Sequence, residues 1–320
     1  MKIAYLLQTN RKYDEVTEII NQLVKQGDHV FIMINNGEVR DEVGFVYVEH
    51  DRVHISKRQE YADEMDMSLP RGTLLQMQDA LELEGVQFDY FINLTDGMIP
   101  VKTRSEIVKF LEENNGKDFY YVAREEDEAL RKRVEKYYCF TNLVGAYEKK
   151  MHLFANKFSS SLFATLGFKR KLTEKYKVGS PWFMLSRKSV TQLAPNYPYA
   201  SDTFKMQYYP EELYIPMMMD KFVYTNGDAS RHVNKDYRCV GPNGYWTEGI
   251  GARNLTQEIL DQNPEALFAG KITADTNFDM FQQYFDKYNE EYDAEQTKDK
   301  ELVDPEILLN TFFVKKEEQE

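Results

Sequence analysis

In the segment Tyr208-Tyr209-Pro210-Glu211-Glu212-Leu213, two carboxylates follow a proline and a pair of aromatic rings. Proline suits the first turn of a helix, and carboxylates in that turn are stabilised by the helix N-terminus. Glu211 and Glu212 therefore read either as helix-terminal charges or as acids beside a ring wall on which a sugar stacks. The other acidic pairs, Asp63 with Asp66 and Asp275 with Asp279, have the spacing of solvated faces rather than of metal ligands. A D-x-D triplet, the usual metal–diphosphate clamp, is missing from the ends of the early strands. Five histidines and two cysteines, Cys139 and Cys239, argue against a dedicated zinc site. The glycine turns of a phosphate loop or of GxGxxG do not follow the first strand, and there is no GxSxG elbow.

The elements that must position these groups belong to a globular chain. Its 320 residues carry 40 Lys and Arg against 53 Asp and Glu, a net charge of −13, with 42% hydrophobic residues and many aromatics. That is too apolar and too aromatic for a disordered acidic tail. The acidity (pI about 5.1) argues against nucleic-acid binding, which needs a basic face, but leaves room for a local basic pocket around an anion. Lys2–Leu7 is too short for a signal peptide, and no run approaches the roughly 18 apolar residues of a membrane span. With two cysteines and no disulfide framework, a reducing cytoplasm fits best.

The first hundred residues alternate strands and helices. Lys2–Leu7 reads as a strand; Val16, Ile19, Ile20, Leu23 and Val24 mark one helical face that Gly27-Asp28 closes. His29–Asn35 is a strand apolar enough for burial on both faces, and Phe45–Val48 is a third. A helix through Leu74–Leu81 is expected to start at Arg71-Gly72-Thr73, followed by a strand at Phe88–Leu94, a turn at Thr95-Asp96-Gly97, and a helix at Ser105–Leu111. This order predicts an α/β fold with a mostly parallel central sheet flanked by helices. Ligands in such sheets bind beyond the carboxyl ends of the strands, here after Leu7, Asn35 and Leu94. Further on come a charged helical stretch (Arg124–Lys150), a basic-aromatic stretch (Phe154–Tyr176), a strand (Trp182–Leu185), and helices at Lys188–Leu193 and from about Pro210. Residues 226–254 read as loop, Asp279–Tyr292 as a terminal helix and Lys315–Glu320 as a charged tail. With no repeat and no flexible linker, one extended domain is expected.

Four segments in register resemble the core-2/I-branching β-1,6-N-acetylglucosaminyltransferase family, which also contains the peptide O-xylosyltransferases. They are Phe91-Ile92-Asn93-Leu94-Thr95-Asp96-Gly97-Met98-Ile99-Pro100 through Thr103, Gly179-Ser180-Pro181-Trp182-Phe183-Met184-Leu185-Ser186-Arg187, Tyr209-Pro210-Glu211-Glu212, and Leu267-Phe268-Ala269-Gly270-Lys271. Order and spacing agree from about residue 2 to residue 275. The resemblance implies a GT-A-like domain over 1–314, with a nucleotide-sugar half (1–120), an acceptor and catalytic half (121–314), and a tail at 315–320.

It also implies inverting, metal-independent transfer from a UDP-sugar to a saccharide or glycoconjugate, with N-acetylglucosamine the leading sugar and xylose or glucose close variants. By the same resemblance Glu212 is the catalytic base, and Lys271 binds the diphosphate with an arginine, Arg253, for which Arg231 and Arg238 are rivals. Asp96 stands beside the family's donor-binding aspartate position, which here is Met98. Trp182, Tyr237, Arg131 and Arg133 are acceptor candidates, although a solvated helix with ion pairs explains the two arginines better. The family's RKF triplet is Gly270-Lys271-Ile272, one cation fewer, so a catalytically inactive glycan-binding or scaffolding relative stays open. No cofactor is implied. Peripheral attachment at an inner membrane face through Phe154–Tyr176, and a homo-oligomer, are both compatible with the reading.

Overall fold

The computed structural model describes residues 1–9, 13–34, 51–56, 58–60, 66–141, 149–171, 174–225, 229–241, 243–247, 255–271 and 274–296. Phe45–Val48, Asp63, Arg253 and the tail at Lys315–Glu320 lie outside them.

The chain runs β1 (Ile3–Thr9), α1 (Tyr13–Val24), β2 (His29–Ile34), β3 (Val53–Ile55), α2 (Ser68–Glu82), β4 (Tyr90–Thr95), β5 (Ile99–Pro100), α3 (Arg104–Glu113), β6 (Asp118–Glu125) and α4 (Glu128–Val134). It continues with α5 (Lys149–Thr165), β7 (Lys177–Ser186), α6 (Arg187–Leu193), α7 (Tyr197–Phe204), a 3-10 turn at Pro210–Glu212, α8 (Tyr214–Met218), β8 (His232–Val233), β9 (Arg238–Cys239), α9 (Gln257–Asp261), β10 (Phe268–Ala269) and α10 (Ala274–Gln296). Among the described residues the strands form a seven-stranded sheet, β3-β2-β1-β4-β7-β6-β8, and a small sheet, β5-β10-β9. The large sheet is parallel except for β7, which runs against both β4 and β6. The α/β class and the mostly parallel sheet are as the sequence predicts.

Burial on both faces follows from the apolar runs in β1 and β2. Ile3, Tyr5 and Leu7 point into one core layer with α1, α3 and α10, whereas Ala4 and Leu6 point into the other with α2, α6 and α8. Glycine marks two close approaches. A Cβ on Gly179 would lie 1.9 Å from the Tyr121 carbonyl oxygen, where β7 is pressed onto a bulged β6. A Cβ on Gly72 would lie 3.1 Å from Gln8 Nε2. Gly72 is thus not the start of α2, which begins at Ser68; it lets the helix lie against the sheet.

Other boundaries shift for physical reasons. β1 runs on to Thr9 because Gln8 and Thr9 are buried by their contacts to α2 and Asp96. Arg124 and Glu125 belong to the end of β6, and among the described residues the charged stretch is helical only in α4, capped by the Asp127 carboxylate, and at the start of α5. Tyr209 takes the left-handed conformation (φ 52°), so Pro210–Glu212 forms a separate 3-10 turn rather than the start of a long helix. The stretch read as loop contains the short strands β8 and β9. Asp66 is buried and accepts a hydrogen bond from the Ser68 N–H, not solvated as its spacing implied.

At the edge of the sheet the His29 and His54 rings stack, with Nδ1 and Nε2 2.9 Å apart. Burial pushes His29 down to about 4, helped by the charge of His54, and burial also lowers His54. Both therefore favour the neutral form in the folded chain. An unfolded chain, with histidines near 6.5, binds more protons below that value, so stability held above it falls as the pH drops toward the folded-state value. The urea unfolding midpoint is expected to be lower at about pH 5 than at about pH 7.5, and His29→Phe should narrow the difference.

Candidate active site

β4 ends in the turn Thr95–Met98, closed by a Met98 N–H to Thr95 carbonyl bond of 3.0 Å and by Gly97 at φ 79°. Gly is needed there because an L side chain resists positive φ. Asp96, buried, accepts from Thr9 Oγ1 at 3.3 Å, and its N–H reaches the Gln8 carbonyl. This ties the carboxyl ends of β1 and β4 together. Gly270, after β10, approaches the same turn: a Cβ there would sit 2.9 Å from the Gly97 carbonyl. Lys271 thus follows directly from a contact with the Asp96 turn and is half-buried. Trp182, also half-buried, lies in β7 beside the end of β4, where the Asn93 side chain bridges the Pro181 carbonyl and the Phe183 N–H.

Beneath this end lies a buried guanidinium. Arg238 pairs through β9 with Phe268 of β10, and its Cζ lies 4.3 Å from that ring's centre. Its Nη2 donates to the carbonyls of Asn93 (3.1 Å) and Phe183 (3.3 Å). Nε and Nη1 have no hydrogen-bond partner among the described residues. Burial pushes Arg238 down to about 10, opposed by Asp236. Asp236 is itself pushed up by burial and held by the Ser180 hydroxyl and the Arg238 N–H. In the Gly179-Ser180 pair, glycine permits the close approach to β6 and serine orients the acid that faces Arg238. Asp236 and Arg238 also line a cleft of about 260 Å³ with Tyr121, Tyr237, Tyr245 and Trp246.

Glu212 is buried in the 3-10 turn, which packs on β7 and α2. Its Oε2 lies 2.7 Å from Arg133 Nη2, an ion pair with both side chains largely buried. Arg133 also donates to the carbonyls of Tyr208 and Tyr209, bracing the strained turn that carries Glu212. The turn is connected to the end of β1 through Tyr214, which hydrogen-bonds Thr73, and Thr73 Oγ1 accepts from Gln8 Nε2 at 2.8 Å. Tyr208 and Tyr209 are half-buried, with Tyr208 stacked on Tyr138 at 5.1 Å.

The predicted residues thus fall into groups. Asp96, Lys271 and Trp182 gather at the carboxyl end of β4. Glu212 and Arg133 form one pair, and the arginine's partners are protein atoms rather than a surface open to an acceptor. Arg131 is exposed and paired with Glu135 at 2.6 Å along α4, apart from the rest. Tyr237 packs between Phe110 and Phe119 and lines the cleft. Arg231 lies 3.7 Å from Asp118. Arg238 stood behind Arg253 as a sequence candidate, and nothing in the local sequence marks Asp236; the signal is Phe268, in the strand that pairs with Arg238. Among the described residues no three His, Cys, Asp or Glu side chains gather as a metal site would require.

A model of the Core-2/I-Branching enzyme family matches residues 3–261. The chain belongs to this family. It is also similar to xylosyltransferase 2 of Canis lupus familiaris, 28% identical over 122 residues, and of Bos taurus, 29% identical over 122 residues. Each comparison covers 37% of this chain and 14% of the relative. The Core-2/I-Branching match takes in Asp96, Trp182, Glu212 and Arg238 and stops 271 − 261 = 10 residues short of Lys271. Losing one partner of a buried pair leaves the other charge uncompensated, so Arg133→Ala in this family member should lower stability by about 3 kcal/mol in chemical denaturation. Arg133→Ala combined with Glu212→Gln should recover part of that loss.

Proposed function

We propose that the protein is an inverting glycosyltransferase that moves a sugar from a UDP-sugar, N-acetylglucosamine first among the candidates, to a hydroxyl of a saccharide or glycoconjugate. The reading takes residues 1–314 as one GT-A-like domain working without a metal ion. The observation that supports it is that Gly270, next to Lys271, packs on the turn bearing Asp96, that the buried Arg238 bonds to Asn93 of the strand leading into that turn, and that the Glu212 turn is tied to the end of β1 through Tyr214 and Thr73.

The chemistry follows from the charges. As the acceptor oxygen bonds to the anomeric carbon, the bond from that carbon to the diphosphate breaks and UDP leaves with the electron pair. The acceptor proton passes to Glu212, whose side chain is paired with the Arg133 guanidinium. Arg133 is then a positioning residue, and charge developing on the diphosphate is met by Lys271 and Arg238. In this reading Arg238 replaces Arg253 as the partner of Lys271, since its Nε and Nη1 are donors without a hydrogen-bond partner among the described residues. The aromatic cleft beside it suits a base or a sugar ring.

One observation favours the second reading, an inactive glycan-binding relative: Met98, at the position of the family's donor-binding aspartate, is sealed in the core. Hydrolysis of UDP-N-acetylglucosamine, UDP-xylose and UDP-glucose separates the two. Slow UDP release is expected from one of them, undiminished by EDTA and about 100-fold lower in Glu212→Gln. Lys271→Ala should weaken UDP binding by about tenfold while the fold is kept. Unchanged turnover in Glu212→Gln, or a strict Mn²⁺ requirement, contradicts the mechanism; UDP binding without release from any donor favours the inactive reading.

A further inference from the structure

Helix α5 is inside out. Its buried face carries Asn156, Ser159 and Ser160, where Asn156 accepts from the Phe140 N–H at 3.0 Å and the two serine hydroxyls donate to carbonyls of their own helix. Its outer face carries Phe154, Phe158 and Leu162 at successive steps of four residues, and Leu166 and Phe168 extend the line past the helix end. These five side chains are between 47% and 71% exposed. A ridge of this kind is not the scatter of single apolar residues normal on a soluble surface. The Phe154 and Phe158 rings lie parallel at 6.4 Å, and Gly167 in the left-handed conformation turns the chain so that the Phe168 N–H bonds back to the Phe163 carbonyl.

Charge is segregated onto the same segment. From Lys149 to Thr173 there is no Asp or Glu, while Lys149, Lys150, Lys157, Lys169, Arg170 and Lys171 are present, so 6 − 0 = +6. The remainder of the chain therefore carries −13 − 6 = −19. Lys157, Lys169 and Lys171 are exposed around the ridge. Arg170 turns inward instead: it donates to the carbonyls of Thr203 and Lys205, lies over the Tyr137 ring at 5.2 Å, and its N–H reaches the Glu135 carbonyl. That staple fixes the ridge to the segment that follows α4, whose Arg133 holds Glu212.

We infer that this ridge is a docking surface for an anionic lipid bilayer, with the phenyl and leucyl groups entering the headgroup boundary and the lysines lying on acidic headgroups. An exposed apolar line rimmed by bases is the pattern of an interfacial helix. A two-fold interface with a second copy would set one basic rim against another, which like charge opposes. The docked chain would hold the Glu212 region near acceptors carried on the membrane surface.

Co-sedimentation tests this with vesicles of phosphatidylcholine alone and of phosphatidylcholine with about one-third phosphatidylglycerol. At least tenfold stronger binding to the anionic vesicles is expected, falling about tenfold in Phe154→Ser/Phe158→Ser/Leu162→Ser and in Lys157→Gln/Lys169→Gln/Lys171→Gln. Because these side chains are exposed, circular dichroism and thermal melting should match the parent in both variants. Equal binding to both vesicles, no binding to either, or binding unaffected by the variants overturns the inference. So does a concentration-dependent dimer, seen by light scattering, that the triple serine variant abolishes, since the ridge would then belong to a second copy.

Discussion

A buried guanidinium stacked on a phenyl ring joins the two sheets of this molecule. Arg238 rests on Phe268, donates to backbone carbonyls of β4 and β7, and faces an aspartate that Ser180 holds in place. Charge taken out of water is costly unless it is paired and hydrogen-bonded. The fold meets that cost with two carbonyls, a ring face and one acid, and burial still leaves the group cationic at neutral pH, pushed down only to about 10. Position follows from this arrangement. If β4, β7, β9 and β10 must all supply atoms to one side chain, their ends are brought to one place, and the turn bearing Asp96 and the segment bearing Lys271 come with them.

The parallel half of the fold was legible because its strands are apolar on both faces and its first helix shows one clean stripe. Ile3–Leu7 and His29–Ile34 admit no other buried element of that length, and Gly27 ends α1 where the sequence places the stop. The antiparallel insertion of β7 was harder to read. Nothing in Lys177–Ser186 states a direction, and its pairing with β6 depends on a glycine whose reason is the Tyr121 carbonyl, far away in sequence. Gly72 misled in the same way, since a helix glycine needed for packing resembles one that begins a helix.

Site residues divide along the same line. The Pro210-Glu211-Glu212 turn could be found because its residue types are unusual together, yet its separation from α8 depends on Tyr209 adopting a left-handed backbone that no propensity forecasts. Arg133 looked like one more charge on a solvated helix. Its neighbours Arg131 and Lys132 are that, paired with Glu135 and Glu128, but one further position around the helix turns Arg133 inward to Glu212. Arg238 was hidden because short strands such as β9 and β10 carry no periodicity; only their pairing shows that Arg238 and Phe268 are partners.

The family assignment and the geometry bear on different parts of the account: the first names the kind of reaction, and the second picks out the charges able to run it. The direct test of the second is a crystal structure with UDP bound. Diphosphate oxygens are expected within about 3 Å of both Arg238 and Lys271, with the Glu212 side chain facing the space beyond the β-phosphate. UDP seated elsewhere, or a diphosphate held at this place with Glu212 turned away from it, would contradict the account.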